Sequence, residues 1–203
     1  TQMQAMYVAR HDKAVRSIHK LLQRSAGGAY YTIMDACREA DLQTHGADAK
    51  RLPDWLLPGL EEEDKKRMRP DILRIVGLPA APTPEEVQAA VSCKRKHTIQ
   101  IVEVGFTADT RWQDRLKEKR GQHARLVAAL RADGWTVDTR VILVGRTGTV
   151  YKFCRSALLE LGATTEAASV LLAKLSVHAV IAAHDIGMAR RRLERERGRD
   201  GVG

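Results

Sequence analysis

Apolar and polar positions alternate along this chain with periods that change several times. From about Gln2 to Arg24 the period is helical: Tyr7, His11, Ala14, Val15, Ile18 and Leu22 share one face at about 3.6 residues per turn. Arg10, Lys13, Arg16, Lys20 and Arg24 gather on the far side. Gly27-Gly28 breaks that helix. Thr32-Ile33-Met34-Asp35 reads as a capping box that opens a short helix to about Ala40. Loops and short turns follow through Pro53, Pro58 and Gly59, and the mixed charge run from Glu61 to Arg67 reads as a solvated turn. Pro53-Asp54 copies the Pro-Asp pair at 70–71, but Pro58 stops the run before a strand could form.

Two β-type runs come next. The first opens at Asp71 and ends at Gly77; the second runs from about Thr98 to Phe106, after the basic Lys94-Arg95-Lys96-His97. Between them, Thr83-Pro84-Glu85-Glu86 starts a short helix to about Val91, with an N-cap, a proline at N1 and acids in the first turn. One helix is predicted between Asp109 and Asp133, its apolar stripe formed by Trp112, Leu116, Leu126, Val127 and Leu130. Gly134 ends it, and Val137 to Val144 reads as a third strand. Gly145-Arg146-Thr147-Gly148 lacks the Gly-Lys-Ser/Thr ending of a phosphate loop and reads as a turn. Helices over about Val150–Leu161 and Thr164–Glu196 complete the chain. His178 and His184 read as structural, and the end is rich in arginine (Arg190, Arg191, Arg192, Arg195, Arg197). The pattern predicts an α/β protein, a small mixed sheet flanked by helices, with extra C-terminal helices. Residues 1–163 would form the main domain and 164–203 a helical extension with a basic tail.

Composition narrows the partner. At 203 residues the chain is long enough to bury a proper core. A net charge of +9 points to a polyanion, nucleic acid before membrane, since no apolar run looks long enough to span a bilayer. No signal-peptide pattern is present. Cys37, Cys93 and Cys154 fit neither a disulfide framework nor a zinc site, which suggests a reducing compartment. The opening within a helical pattern, without an initiator methionine, is what a segment of a longer protein would show.

Each of the two β runs carries one acid, Asp71 at the start of the first and Glu103 inside the second. Desolvating a carboxylate is expensive unless a cation or hydrogen-bond donors meet it. The acids lie 32 positions apart and meet only if their strands are neighbours. Otherwise each caps a turn or pairs with Arg69 or Arg74. In the following helix, a projection at about 100° per residue puts Lys119 and His123 inside the apolar stripe and Lys117 almost opposite. A lysine facing a core is rare unless paired, so Lys119 is the expected partner of the acids. Snorkelling to the stripe's edge is its alternative. His11 is by default a core histidine, with a place near a phosphate as its other reading. The basic side of the first helix is either a solvated face or a phosphate track.

Asp on one strand, Glu on the next and a nearby Lys form the constellation of PD-(D/E)xK nucleases. Two carboxylates hold a hard divalent cation, Mg²⁺ with Mn²⁺ as substitute, and the lysine orients or deprotonates a water. The motif's usual lysine position is Gly105 here; a lysine on the next helix would restore the charge at the same point.

That arrangement resembles the restriction-enzyme-like endonuclease domain of site-specific non-LTR retrotransposons. The matching residues are Arg10-His11-Asp12 with Ile18-His19, Arg69-Pro70-Asp71-Ile72, Val102-Glu103-Val104, and Lys119 with Gln122-His123, across roughly Ala9 to Gly145. Glu103 stands for the commoner Asp, and Gln122-His123 for Lys-Tyr. The resemblance implies a restriction-endonuclease-like fold and a Mg²⁺-dependent nick in target DNA, whose 3′-hydroxyl primes reverse transcription of the element's RNA. Asp71, Glu103 and Lys119 would be catalytic, Asp71 and Glu103 the metal ligands. Arg10, His11, Lys13, Arg69, Arg190 and Arg191 are the candidates for nucleic-acid contact. Target DNA, element RNA and the reverse transcriptase domain of the same polyprotein would be partners, in the nucleus and without a membrane. The alternatives are a catalytically silent nuclease fold that binds nucleic acid, and a Holliday-junction resolvase on the same fold.

Overall fold

In the computed structural model, residues 2–25, 30–35 and 52–200 are described. The elements are α1 (Gln2–Ser25), β1 (Tyr30–Met34), α2 (Glu62–Arg67), β2 (Ile72–Pro79), α3 (Pro84–Ser92), β3 (Thr98–Thr107), α4 (Trp112–Gly121), α5 (Ala124–Ala132), β4 (Thr136–Gly145), α6 (Lys152–Glu160) and α7 (Thr165–Asp200). The strands form a mixed sheet in the order β1-β2-β3-β4. The β1–β2 and β2–β3 pairs are antiparallel, and β3–β4 is parallel, joined by the crossover through α4 and α5. A parallel pair needs such a crossover, because a tight hairpin cannot return the chain in the same direction.

Both faces of the sheet are covered. Ala14, Val15, Ile18 and Leu22 of α1 pack with Ile72, Val102, Val104, Ile142 and Val144. Leu158 of α6 and Leu171, Leu175 and Ala179 of α7 complete that apolar cluster, so the first half of α7 shares the core with the sheet. On the other face Leu73, Ile75, Ile99 and Ile101 meet Leu126 and Leu130 of α5. The even and odd positions of β2 and β3 thus separate onto the two faces, as pleating requires.

Four expectations from the pattern change. Thr32 to Met34 belong to strand β1, not to a helix start: Tyr-Tyr-Thr-Ile-Met is aromatic and β-branched, and β2 offers it a hydrogen-bonding edge. The rest of the helix expected to Ala40 lies outside the described residues, as does Cys37. Glu61–Arg67 is not a bare turn, since Glu62–Arg67 form α2, with Lys65 buried against Asp54 at 2.6 Å. The helix expected between Asp109 and Asp133 is two: a 3-10 turn at Asp109–Arg111, then α4 and α5, broken at Gln122-His123 after Gly121. Glycine in a helix weakens it, and the break lets α4 and α5 serve different neighbours. Finally, α7 contains an 18-residue window of mean hydropathy 1.5, 28% of it buried, so one helix among the described residues is long and apolar enough to cross a bilayer by length and composition.

The other elements follow their signals. Thr83 and Glu86 close a reciprocal capping box on α3. Gly134, at φ +98°, takes the left-handed conformation that ends α5 and turns the chain into β4. Cys93 and Cys154 are free thiols; Cys154 is buried and bonded to the Leu143 backbone.

Candidate active site

The antiparallel register pairs Ile72 with Val102, which sets Asp71 one step further along, opposite Glu103. The cross-strand contacts confirm the alignment. The Asp71 amide donates to Glu103 Oε1 at 3.2 Å, and the Val104 amide donates to Asp71 Oδ2 at 2.6 Å. Sequence separation alone said nothing of this; the intervening α3 and its loops are the length of chain that the β2-to-β3 return consumes.

Lys119, in the last turn of α4, reaches both acids, with Nζ 2.8 Å from Glu103 Oε2 and 3.4 Å from Asp71 Oδ2. Asp71, Glu103 and Lys119 are 5%, 3% and 5% exposed, so this is a buried ion triad. Lys117, which the projection put almost opposite Lys119, is exposed. An ideal Cβ built on Gly105 would lie 3.6 Å from Lys119 Cε. A side chain from position 105 and the side chain of Lys119 therefore share one region of space.

Two histidines flank the triad. His11 Nε2 from α1 lies 3.2 Å from Asp71 Oδ1, and His123 Nε2 lies 2.8 Å from Glu103 Oε1. His11 is thus a partner of the acid and not the core histidine that its place on the stripe suggested by default. Burial would lower its pKa, but the hydrogen bond and charge of Asp71, with Asp12 behind, raise it above the ordinary histidine value. Burial would likewise raise the Asp71 pKa; the His11 hydrogen bond, the Lys119 charge and the Val104 amide hold it below the ordinary carboxylate range. His11 and Asp71 thus each favour the other's charged form.

Beside the triad opens a cleft of about 400 Å³, lined by Tyr7, Arg10, His11, Val104, Gly105 and Arg115, among others. Arg10 was grouped with the basic far side of α1, either solvated or phosphate-facing, yet it is 9% exposed and lies over the Phe106 ring at 4.2 Å. Arg10 lies one turn before Ala14, at the edge of the apolar stripe, and not with the other basic residues, and α1 is covered there by the sheet and by α7. Lys13 is exposed. Arg69 is exposed and paired with Asp35, which also lines the cleft. Arg190 and Arg191 sit on the exposed end of α7 and are not among the residues lining the cleft. His178, read as structural, bonds the Arg10 carbonyl at 3.1 Å; His184 is exposed beside Asp185.

His123 gained no role from the sequence, although it falls four residues after Lys119 on the same stripe; that spacing was the available signal. Arg115 and Phe106 carried none.

The donor chemistry suits a hard divalent ion. One cation, the Lys119 ammonium, already touches both carboxylates, so their oxygens converge on a common point. Among the described residues no group of three or more His, Cys, Asp and Glu is arranged to hold a metal. Magnesium characteristically uses one or two carboxylates and completes its shell with water and substrate phosphate, which is what Asp71 and Glu103 could offer. Compared with protein-family models and with curated proteins, the chain matches none.

Proposed function

We propose that the protein is a divalent-metal-dependent DNA endonuclease with a PD-(D/E)xK-type site, in which Asp71 and Glu103 hold the metal and Lys119 supplies the lysine. The observation that carries this reading is the meeting of two buried carboxylates from neighbouring strands with one buried ammonium from the following helix, beside a cleft whose wall includes Arg10, His11 and Arg115 as well as Asp12 and Asp35. Gly105 supports it: Lys119 fills the region that a lysine from the usual position would enter. Bound Mg²⁺ would supply Lewis-acid stabilisation of the phosphoryl oxygens and ease ionisation of a water.

The chain's own residues have separable tasks. Lys119 orients the attacking water and offsets negative charge that builds on the phosphoryl group. His11 and His123 fix the carboxylate rotamers from outside, as partners of ligating groups do in metal sites. Arg10 and Arg115, lining the cleft, meet the phosphodiester backbone. Attack of water on phosphorus with cleavage of the P–O3′ bond leaves a 5′-phosphate and a 3′-hydroxyl. The resemblance of the motifs to the endonuclease of site-specific non-LTR retrotransposons gives that hydroxyl a use, as primer for reverse transcription in the nucleus. Arg190 and Arg191, exposed on α7, are available to DNA or element RNA.

A second reading is a silent nuclease fold that binds nucleic acid, and one observation favours it. All four oxygens of the carboxylate pair already have protein partners: His11, Val104, Lys119, Asp71 and His123. A plasmid-nicking assay in Mg²⁺ and in EDTA, on wild type and Asp71→Ala, separates the two. Nicking by wild type alone, and only with metal, supports the endonuclease. Equal cutting by both proteins sinks the assigned site, and DNA binding without cutting by either favours the silent fold. Strong preference for four-way DNA would mark a resolvase.

A further inference from the structure

One buried cation lacks the partners that its burial demands. Arg10 is 9% exposed, and its Nε and Nη1 have no hydrogen-bond partner among the described residues. Buried polar groups are nearly always bonded, and an exception calls for a reason. The guanidinium lies over the rings of Phe106, at 4.2 Å, and Tyr7, at 5.3 Å. Those rings hold a cation by their π faces but satisfy none of its N–H donors. Burial lowers its pKa below the ordinary arginine value, opposed by Tyr7 and aided by the like charge of Arg146. The two acids on the cleft wall are committed elsewhere, Asp12 to His11 and Arg16, and Asp35 to Arg69.

We propose that Arg10, braced by Phe106 and Tyr7, is a preformed receptor for a phosphate group in the cleft next to Asp71 and Glu103. A guanidinium presents parallel N–H donors that match two phosphate oxygens, which an ammonium does not. Aromatic bracing fixes the fork before the ligand arrives, so less rotamer freedom is lost on binding. Phe106 and Tyr7 are positioning residues here, acting through Arg10. The inference rests on the endonuclease reading only for the identity of the phosphate, a diester of the strand to be cut; the receptor itself stands on the two guanidinium nitrogens, Nε and Nη1, that have no partner among the described residues.

The test uses the full chain in EDTA, so that no cleavage is required. Arginine Nε–H resonances are followed by NMR while inorganic phosphate is added, and then a short single-stranded oligonucleotide with or without a 5′-phosphate. The resonance that disappears in Arg10→Lys shifts with phosphate in wild type. Arg10→Gln weakens phosphate binding about tenfold, the scale of one charge-assisted hydrogen-bonded contact. Phe106→Leu, which keeps every charge, weakens it about threefold through lost bracing. Should Arg10→Gln not fold, Arg10→Lys serves: it keeps the charge, loses the fork, and is expected to weaken binding about threefold. Equal affinity for the two oligonucleotides assigns the receptor to an internal diester, and preference for the 5′-phosphorylated one assigns it to a strand end. The proposal is overturned if the Arg10 resonance ignores all three probes, or if the folded Arg10 variants bind phosphate like wild type. Phosphate binding through Arg10 in a chain that never nicks DNA would sink the endonuclease reading alone. Nicking by a chain whose phosphate binding ignores Arg10 would sink this receptor alone.

Discussion

Replacing Lys119 by methionine removes the ammonium that Asp71 and Glu103 share, while leaving an apolar side chain of similar length to fill the space. Nζ lies 2.8 and 3.4 Å from the two carboxylates, and all three residues are at most 5% exposed. Removing one partner of a buried ion pair costs roughly 3–5 kcal/mol, because the other charge is left uncompensated. Here Asp71 keeps His11 and the Val104 amide, and Glu103 keeps His123 and the Asp71 amide. These donors place the expected loss near the lower end, about 3 kcal/mol. For a chain of this length that is a fall in Tm of about 6–12 °C. The loss depends on the acids being ionised. The Asp71 pKa is depressed in the folded protein, so its contribution is present above the unfolded carboxylate value and is lost as pH falls through the folded one. The Tm deficit of Lys119→Met is therefore largest near neutrality and shrinks on acidification. A divalent cation that binds the two carboxylates of the folded variant restores stability, by about 1.4 kcal/mol at ten times its dissociation constant. Thermal unfolding followed by circular dichroism, at neutral and acidic pH in EDTA and in Mg²⁺, measures all three effects. A variant that melts within about 1 °C of wild type at neutral pH would show that Lys119 does not neutralise the acids, whatever the distances.

Other perturbations probe the same geometry from different sides. Moving the lysine back, as Gly105→Lys with Lys119→Met, should nick at least about tenfold faster than Lys119→Met alone, because the charge returns to the same region. The required adjustment is at Leu143, whose Cδ2 would lie 2.9 Å from the new Cβ, and a double variant no better than the single one refutes the shared-space argument. In EDTA, the His11 imidazole should titrate above the ordinary histidine value by NMR, and Asp71→Asn should bring it down, since burial then acts with less opposition. The stability that His11 contributes is full below its unfolded pKa and is lost as pH rises through the folded one; an unchanged midpoint in Asp71→Asn would disprove the coupling. Burial pushes the Cys154 thiol up from 9.0 to about 11. The unfolded chain ionises it first, so stability should fall by about 1.4 kcal/mol per pH unit across that interval, and Cys154→Ala should flatten the fall. Alkaline denaturation curves decide this, and identical slopes for the two proteins would refute it.

The periodic elements were legible because their signals are local. The apolar stripe of α1, the Thr83–Glu86 capping box, the strand runs around Asp71 and Glu103 and the stop at Gly134 each depend on residues within a turn or two. The inward lysine was also legible, since a 3.6-residue period assigns faces without knowledge of what they meet. Local signals misled wherever a distant neighbour overrode them. Thr32–Met34 became a strand because β2 offered its edge, and the stretch after Asp109 became two helices. Arg10, at the edge of the stripe, is buried because Phe106 of the sheet lies under its guanidinium. Tertiary structure alone decided that β2 and β3 pair in the register that sets Asp71 opposite Glu103, that His11 and His123 close the triad at its ends, and that Arg10 lies over two rings with no ion-pair partner among the described residues. The reason is physical: secondary structure is encoded by spacing along the chain, whereas the charge balance of a site depends on which distant groups share its desolvated volume.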